Sequence, residues 1–185
     1  MTDAQQIVTQ IIAALVRSGV PHMVVGSFAR NFHAFARSTQ DAVIVLAVDA
    51  KALEKFVIEL GADFSLDAQA TFETNTGTFR HTLIHKETGF KTELFLLSNE
   101  PFDQERFRRR QPFPYNGHPS FVLTAEDLIL SKLRWSRAKD LEDIRDVMAV
   151  KGDVALDWNY LHHWSTILGK RAKLDELRAG IPKID

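Results

Sequence analysis

No cysteine occurs among the 185 residues, which removes disulfides, thiolate zinc sites, iron–sulfur clusters and a cysteine nucleophile from consideration. An excess of charge is lacking as well. The 23 Lys and Arg residues are met by 24 Asp and Glu, a net charge of −1, so no global field draws the chain to nucleic acid or to a membrane surface. No apolar run approaches the roughly 18 residues that a bilayer-spanning helix requires. The opening "MTDAQQIVTQIIAALV" sets Asp3 and polar residues before its first apolar position, unlike the basic start of a secretory signal. A reduced, soluble, cytoplasmic protein with no membrane partner is the expectation. Walker-type phosphate loops and Gly-x-Ser-x-Gly elbows are missing too. The seven histidines suggest no metal site: His81 and His85 share strand parity but stand about 13 Å apart, and His162 and His163 point apart on a helix.

What the chain does have is a core. It is 45% hydrophobic, with thirteen Phe and three Trp, and at this length a domain buries roughly 70% of its unfolded surface. An apolar stripe through Ile7, Ile11, Ile12 and Leu15 predicts a helix over 3–18, closed by Gly19. "HMVVG" reads as a short buried strand, and 27–36 as a helix capped by Ser27. "DAVIVLAV" (41–48) is β-branched and apolar on both faces, as in a central strand. Asp49 caps a helix that ends at Gly61, and "FRHTLIH" and "FKTELFLL" flank the turn "KETG" as a hairpin. From Thr124 the pattern turns helical, with capping-box spacing to Asp127, and Asp157 opens a further helix ended by Gly169. The expected organisation is an α/β core over 1–122 and a helical tail over 123–185 packed on it.

The stretch "VVGSFARNFHAFARSTQDAVIVLAV" concentrates the chemistry. A strand that ends in Gly26-Ser27 before a helix presents backbone N–H groups and the positive end of the helix dipole. Such a turn can hold a phosphate, or be an ordinary capped turn. Strand parity puts Asp41 and Val43 on one face, where two carboxylates would clamp a divalent cation. Glu93 shares a face with Phe95 and Leu97 on a plausible neighbouring strand. It either completes a metal site or reaches water at the strand end.

"GVPHMVVGSFARNFHAFARSTQDAVIVLAV" resembles the nucleotidyltransferase superfamily, whose core series is Gly-Ser, a helix, then a strand bearing Asp-x-Asp. The lead-in "RSTQD" and the later "EDLILSKLRW" and "DIRDV" are similar to small bacterial nucleotidyltransferase-like proteins, including the toxins of type IV abortive-infection systems. The resemblance implies a mixed sheet flanked by helices and the transfer of a nucleoside monophosphate from an NTP to a hydroxyl of a protein, an RNA or a small molecule. It implies that Gly26, Ser27, Arg37 and Lys132 contact the nucleotide. Asp41 and Glu93 would be catalytic metal ligands, and Asp146 matches a later acidic position. The family reaction uses two Mg²⁺ ions. Here the second aspartate of Asp-x-Asp is Val43, which cannot ligate magnesium, so one weakly held ion and reduced activity are expected.

Other readings stay open. Lys132 either reaches a phosphate or lays its stem along the core. Arg37 either contacts the triphosphate or forms a surface ion pair. "ERFRRR" (105–110) is read first as a solvated helix end and second as a nucleic-acid contact. A non-catalytic interaction module, toxin- or antitoxin-like, is the alternative function on the same fold.

Overall fold

The computed structural model describes residues 3–36, 39 and 41–181. Among them, eight strands join one mixed sheet, in the order 64–66, 78–85, 91–96, 41–46, 22–25, 121–122 and 111–112, with 71–73 pairing 78–85 at the side. The chain runs α1 (Asp3–Arg17), β1 (His22–Val25), α2 (Gly26–His33), β2 (Asp41–Leu46) and α3 (Ala50–Leu60). It continues through β3 (Phe64–Leu66), β4 (Thr71–Glu73), β5 (Thr78–His85), β6 (Lys91–Leu96), α4 (Pro101–Arg108), β7 (Gln111–Pro112) and β8 (Phe121–Val122). Four helices follow: α5 (Ala125–Trp135), α6 (Ala138–Lys151), α7 (Trp158–Ile167) and α8 (Arg171–Ala179). The expected mixed α/β class is what the chain adopts.

Two compact units make up the protein. One holds α1, β1, the start of α2 and everything from β2 to β8; the other holds α2 from Ala29 onward and α5 to α8. In the sheet unit, β2 lies between β1, its antiparallel neighbour, and β6, its parallel one. Burial on both faces explains its unbroken apolar run. Ile44 and Leu46 of β2, Leu94 of β6 and Leu83 of β5 pack against Ile7, Ile11, Ala14 and Leu15 of α1 and Leu53 and Phe56 of α3. That layer leaves the opposite face of β2 and β6 to Asp41, Val43, Val45, Glu93 and Phe95, by strand alternation. Asp49 caps α3, accepting from the Ala52 N–H at 2.8 Å, as its spacing predicts.

His22 ties β1 to the loop before β8. Its Nδ1 lies 3.0 Å from the Val20 carbonyl oxygen, so Nδ1 must carry the proton and donate. Nε2, 3.2 Å from Ser120 Oγ, is then the acceptor of the serine hydroxyl. Burial is the main force pressing this imidazole below its ordinary pKa; the Val20 carbonyl opposes it and nearby Arg110 adds to it.

The helical unit is organised by buried ions rather than by apolar contact alone. Lys132 of α5 places Nζ 3.0 Å from Asp140 and 2.8 Å from Asp143 of α6. Arg30 of α2 puts Nε 3.5 Å from Asp143 and donates from Nη2 to Asp146. Asp140 and Asp143 are fully buried, and Arg30 and Lys132 nearly so. Burial pushes the Asp140 carboxyl upward, yet hydrogen bonds from Arg137 and Lys132 outweigh it and hold the group below the usual range.

Two outcomes follow for stability. Lys132→Met leaves two buried carboxylates without their shared cation and should cost about 3–5 kcal/mol in a urea titration, against well under 1 kcal/mol for an exposed pair. His22 is neutral when folded but titrates near 6.5 when unfolded, so below that pH the unfolded chain binds the extra proton. Stability should therefore be whole above about pH 6.5 and fall as the pH drops toward the lowered folded value. Unfolding curves between about pH 7 and about pH 5 should show this slope in the native protein and a shallower one in His22→Gln.

Candidate functional site

The Gly26-Ser27 turn, the first half of β2 and the facing stretch of β6 belong to the sheet unit. Gly26 has φ +65°, a left-handed conformation that side-chain-bearing residues adopt at a cost of roughly 1–2 kcal/mol. A Cβ on Gly26 would lie 3.1 Å from Val43 Cγ2 and 3.3 Å from Val43 Cβ. The turn thus rests directly on the isopropyl group, which is possible only because position 26 is glycine. Helix α2 opens on Gly26 itself; Ser27 is inside the first turn, not the cap residue expected before it. Phe28 packs with Val8, Ile12, Val24 and Ala42, within the apolar core.

The register of β2 against β6 places Val43 opposite Glu93 and Asp41 opposite Lys91. Asp41 and Glu93 therefore share a face, two residues out of step, with Cα atoms about 8 Å apart from the strand rise and spacing. Asp41 is exposed, and its Oδ1 accepts from Thr39 Oγ1 at 3.2 Å. Glu93 is otherwise engaged. Its Oε1 accepts from Arg80 Nη1 of β5 at 2.9 Å, and the two side chains are 29% and 31% exposed. Arg80 lies opposite Phe95, and Thr82 opposite Glu93, so Arg80 projects from the face that carries Glu93.

The family resemblance nominated Lys132 and Arg37 as nucleotide contacts. Lys132 is engaged by Asp140 and Asp143 within the helical unit, and Asp146 by Arg30. Arg37 lies outside the described residues. Arg80 was missed, although the hairpin turn that joins β5 to β6 carries the signal: counting outward from "KETG" sets Thr82 against Glu93 and Arg80 one same-face step away.

The arginine cluster is largely used up locally. Arg106 pairs with Asp103 at 2.7 Å and Arg108 with Glu105 at 2.7 Å on α4, while Arg110 lies 4.1 Å from the Phe107 ring centre and 4.8 Å from that of Phe121. Elsewhere, the helical unit has a groove of about 890 Å³ lined in part by Met148, Asp153, Trp158 and Arg178. Arg178 covers the Trp158 ring at 3.6 Å and binds Asp153.

Could these residues hold the magnesium pair? Among the described residues, no three His, Cys, Asp or Glu side chains cluster as metal ligands would. Of the two carboxylates on the face, one is ion-paired, and the side chain between them in register is Val43. That donor set does not fit a two-ion centre, because hard cations of this kind want several oxygens. No helix among the described residues is long and apolar enough to cross a membrane.

No protein-family model and no curated protein sequence matches the chain. Solved structures do. ANT(2'')-Ia, in complex with adenylyl-2''-tobramycin, superposes with a TM-score of 0.60 at 14% identity, covering 92% of this chain and 99% of that one. An antigenic nucleotidyltransferase-like protein from Paracoccidioides brasiliensis covers 100% of this chain and 96% of its own, with a TM-score of 0.55 at 18% identity. The lincomycin-bound lincosamide antibiotic adenylyltransferase LnuA gives 0.56 at 12% identity over 81% of this chain and 98% of that one. At such identities the likeness shows the fold, and the fold is nucleotidyltransferase-like.

The contact between Gly26 and Val43 is open to a direct check. Gly26→Ala should destabilise the protein by about 1–3 kcal/mol, from the left-handed φ together with the clash. In the double variant with Val43→Ala the combined cost should fall short of the sum by about 1 kcal/mol, because only the steric part is relieved. Simple additivity in denaturant titrations would mean that the turn does not rest on Val43.

Proposed function

We propose that the protein binds a nucleoside triphosphate, with its phosphates at the Gly26-Ser27 turn, and that Val43 suppresses nucleotidyl transfer. Support comes from the nucleotidyltransferase-like fold and from the observation that carries the reading: Val43, not a carboxylate, faces Glu93 and lies against Gly26. Backbone N–H groups at the start of α2 can still donate to phosphate oxygens without any metal. Asp41 remains exposed on the same face, able to orient a hydroxyl or to ligate a single ion. Transfer would join that hydroxyl oxygen to the α-phosphorus, break the bond to pyrophosphate, and pass the hydroxyl proton to a carboxylate or to water. Lys132, held by Asp140 and Asp143, serves in this reading to join α5 to α6. Two of the similar structures act on or hold antibiotics, which makes small hydroxyl-bearing compounds the first acceptors to screen.

A second reading has one observation in its favour. The side chain against Gly26 is the isopropyl group of Val43, too close to leave ordinary space even for a Cβ there, as in a scaffold kept for a protein partner. Calorimetric titration with ATP, GTP, CTP and UTP in the presence of Mg²⁺ separates the two. The native protein should bind at least one nucleotide, and Val43→Asp should bind it more tightly and gain transfer activity, since it restores the missing carboxylate. If neither form binds any of the four, the scaffold reading replaces this one.

A further inference from the structure

The face of the sheet that would carry metal ions carries cations of its own. Glu93 is met by the guanidinium of Arg80 at 2.9 Å. Asp41 lies directly across from Lys91 in the β2–β6 register, on the same face by strand alternation. Among the described residues, the two carboxylates thus share this face with two cationic side chains of the neighbouring strands, Arg80 and Lys91. Magnesium sheds water reluctantly and is held by surplus negative oxygen. Arg80 takes up Oε1 of Glu93 and sets a positive charge beside any ion that this carboxylate would ligate.

The same residues suit a phosphate. A guanidinium offers five N–H donors in a fixed fork that matches phosphate oxygens in pairs. Glu93 takes a bond from Nη1, while Nε is buried and has no hydrogen-bond partner among the described residues. At 29% exposure, the Arg80 side chain is accessible to a ligand while its stem is held by the sheet. Of the two carboxylates that would repel a bare polyphosphate, Glu93 is paired with Arg80 and Asp41 has Lys91 across from it in register.

Resting on the nucleotide-binding reading, we propose that Arg80, backed by Lys91, stands where a metal ion would, so that the protein takes its nucleotide as a metal-free polyphosphate. Glu93 then positions the guanidinium and competes with the ligand for it, which reverses the role that a metal site would give it. The two roles predict opposite signs for one substitution.

The test titrates the native protein with ATP, GTP, CTP and UTP, once in excess EDTA and once with Mg²⁺. Binding in EDTA should be at least as tight as with Mg²⁺. Arg80→Ala should weaken it by about tenfold or more, the worth of a charge-assisted hydrogen bond, and Arg80→Lys should fall between. Glu93→Gln should tighten binding in EDTA by freeing the guanidinium, whereas loss of a metal ligand would weaken it. Thermal unfolding of each variant separates loss of binding from loss of fold, and the EDTA comparison on native protein needs no variant. Binding that requires Mg²⁺ and is weakened by Glu93→Gln would overturn the role given to Arg80 while leaving nucleotide binding in place. If no nucleotide binds in either buffer, both fall together.

Discussion

The packing of Val43 against Gly26 is the constraint from which the character of this molecule follows. Strand β2 is pinned on one face by α1 and α3 through Ile44 and Leu46. Its alternate residues are therefore forced onto the other face, and Val43 meets the backbone of the turn that opens α2. A carboxylate at that position would face Glu93 across β6 and could share an ion with it. An isopropyl group can only fill space. The left-handed φ of Gly26 lets the chain turn tightly over it, so turn and strand meet in apolar contact at Val43.

The charges arrange themselves around that fact. Glu93 is answered by Arg80, and its half-exposed position keeps the cost of the pair small. The helical unit follows the opposite regime. Arg30, Lys132, Asp140 and Asp143 are buried together, where a cation with no partner would be expensive and a complete set is tolerable. Lys132 belongs to that set, and its three donors have two fixed acceptors. One chain thus uses ion pairs in two ways: as a solvated pair on a sheet face, and as the polar centre of a helix cluster.

Much of this was legible in the order of residues. The apolar run of β2, the Asp49 cap, the β5–β6 hairpin and the helical pattern after Thr124 each rest on local periodicity or capping chemistry, and each appears. Short strands were not legible: β7 and β8 span two residues each, too few for any period to show. Nor was the buried cluster, because Arg30 meets α6 across more than a hundred residues of sequence and nothing in its own helix announces a partner. Glu93 stood out in sequence as a charge needing company. A companion comes from the hairpin partner strand as Arg80, and the register of the turn is what places it.

The most direct test of the central claim is an amide and arginine side-chain NMR titration of the isotopically labelled protein with ATP in EDTA. The account predicts shift changes at the Gly26 and Ser27 amides and at the Arg80 Nε–H, without added metal. Unmoved signals at all three, with changes confined to the groove beside Trp158 and Arg178, would contradict it.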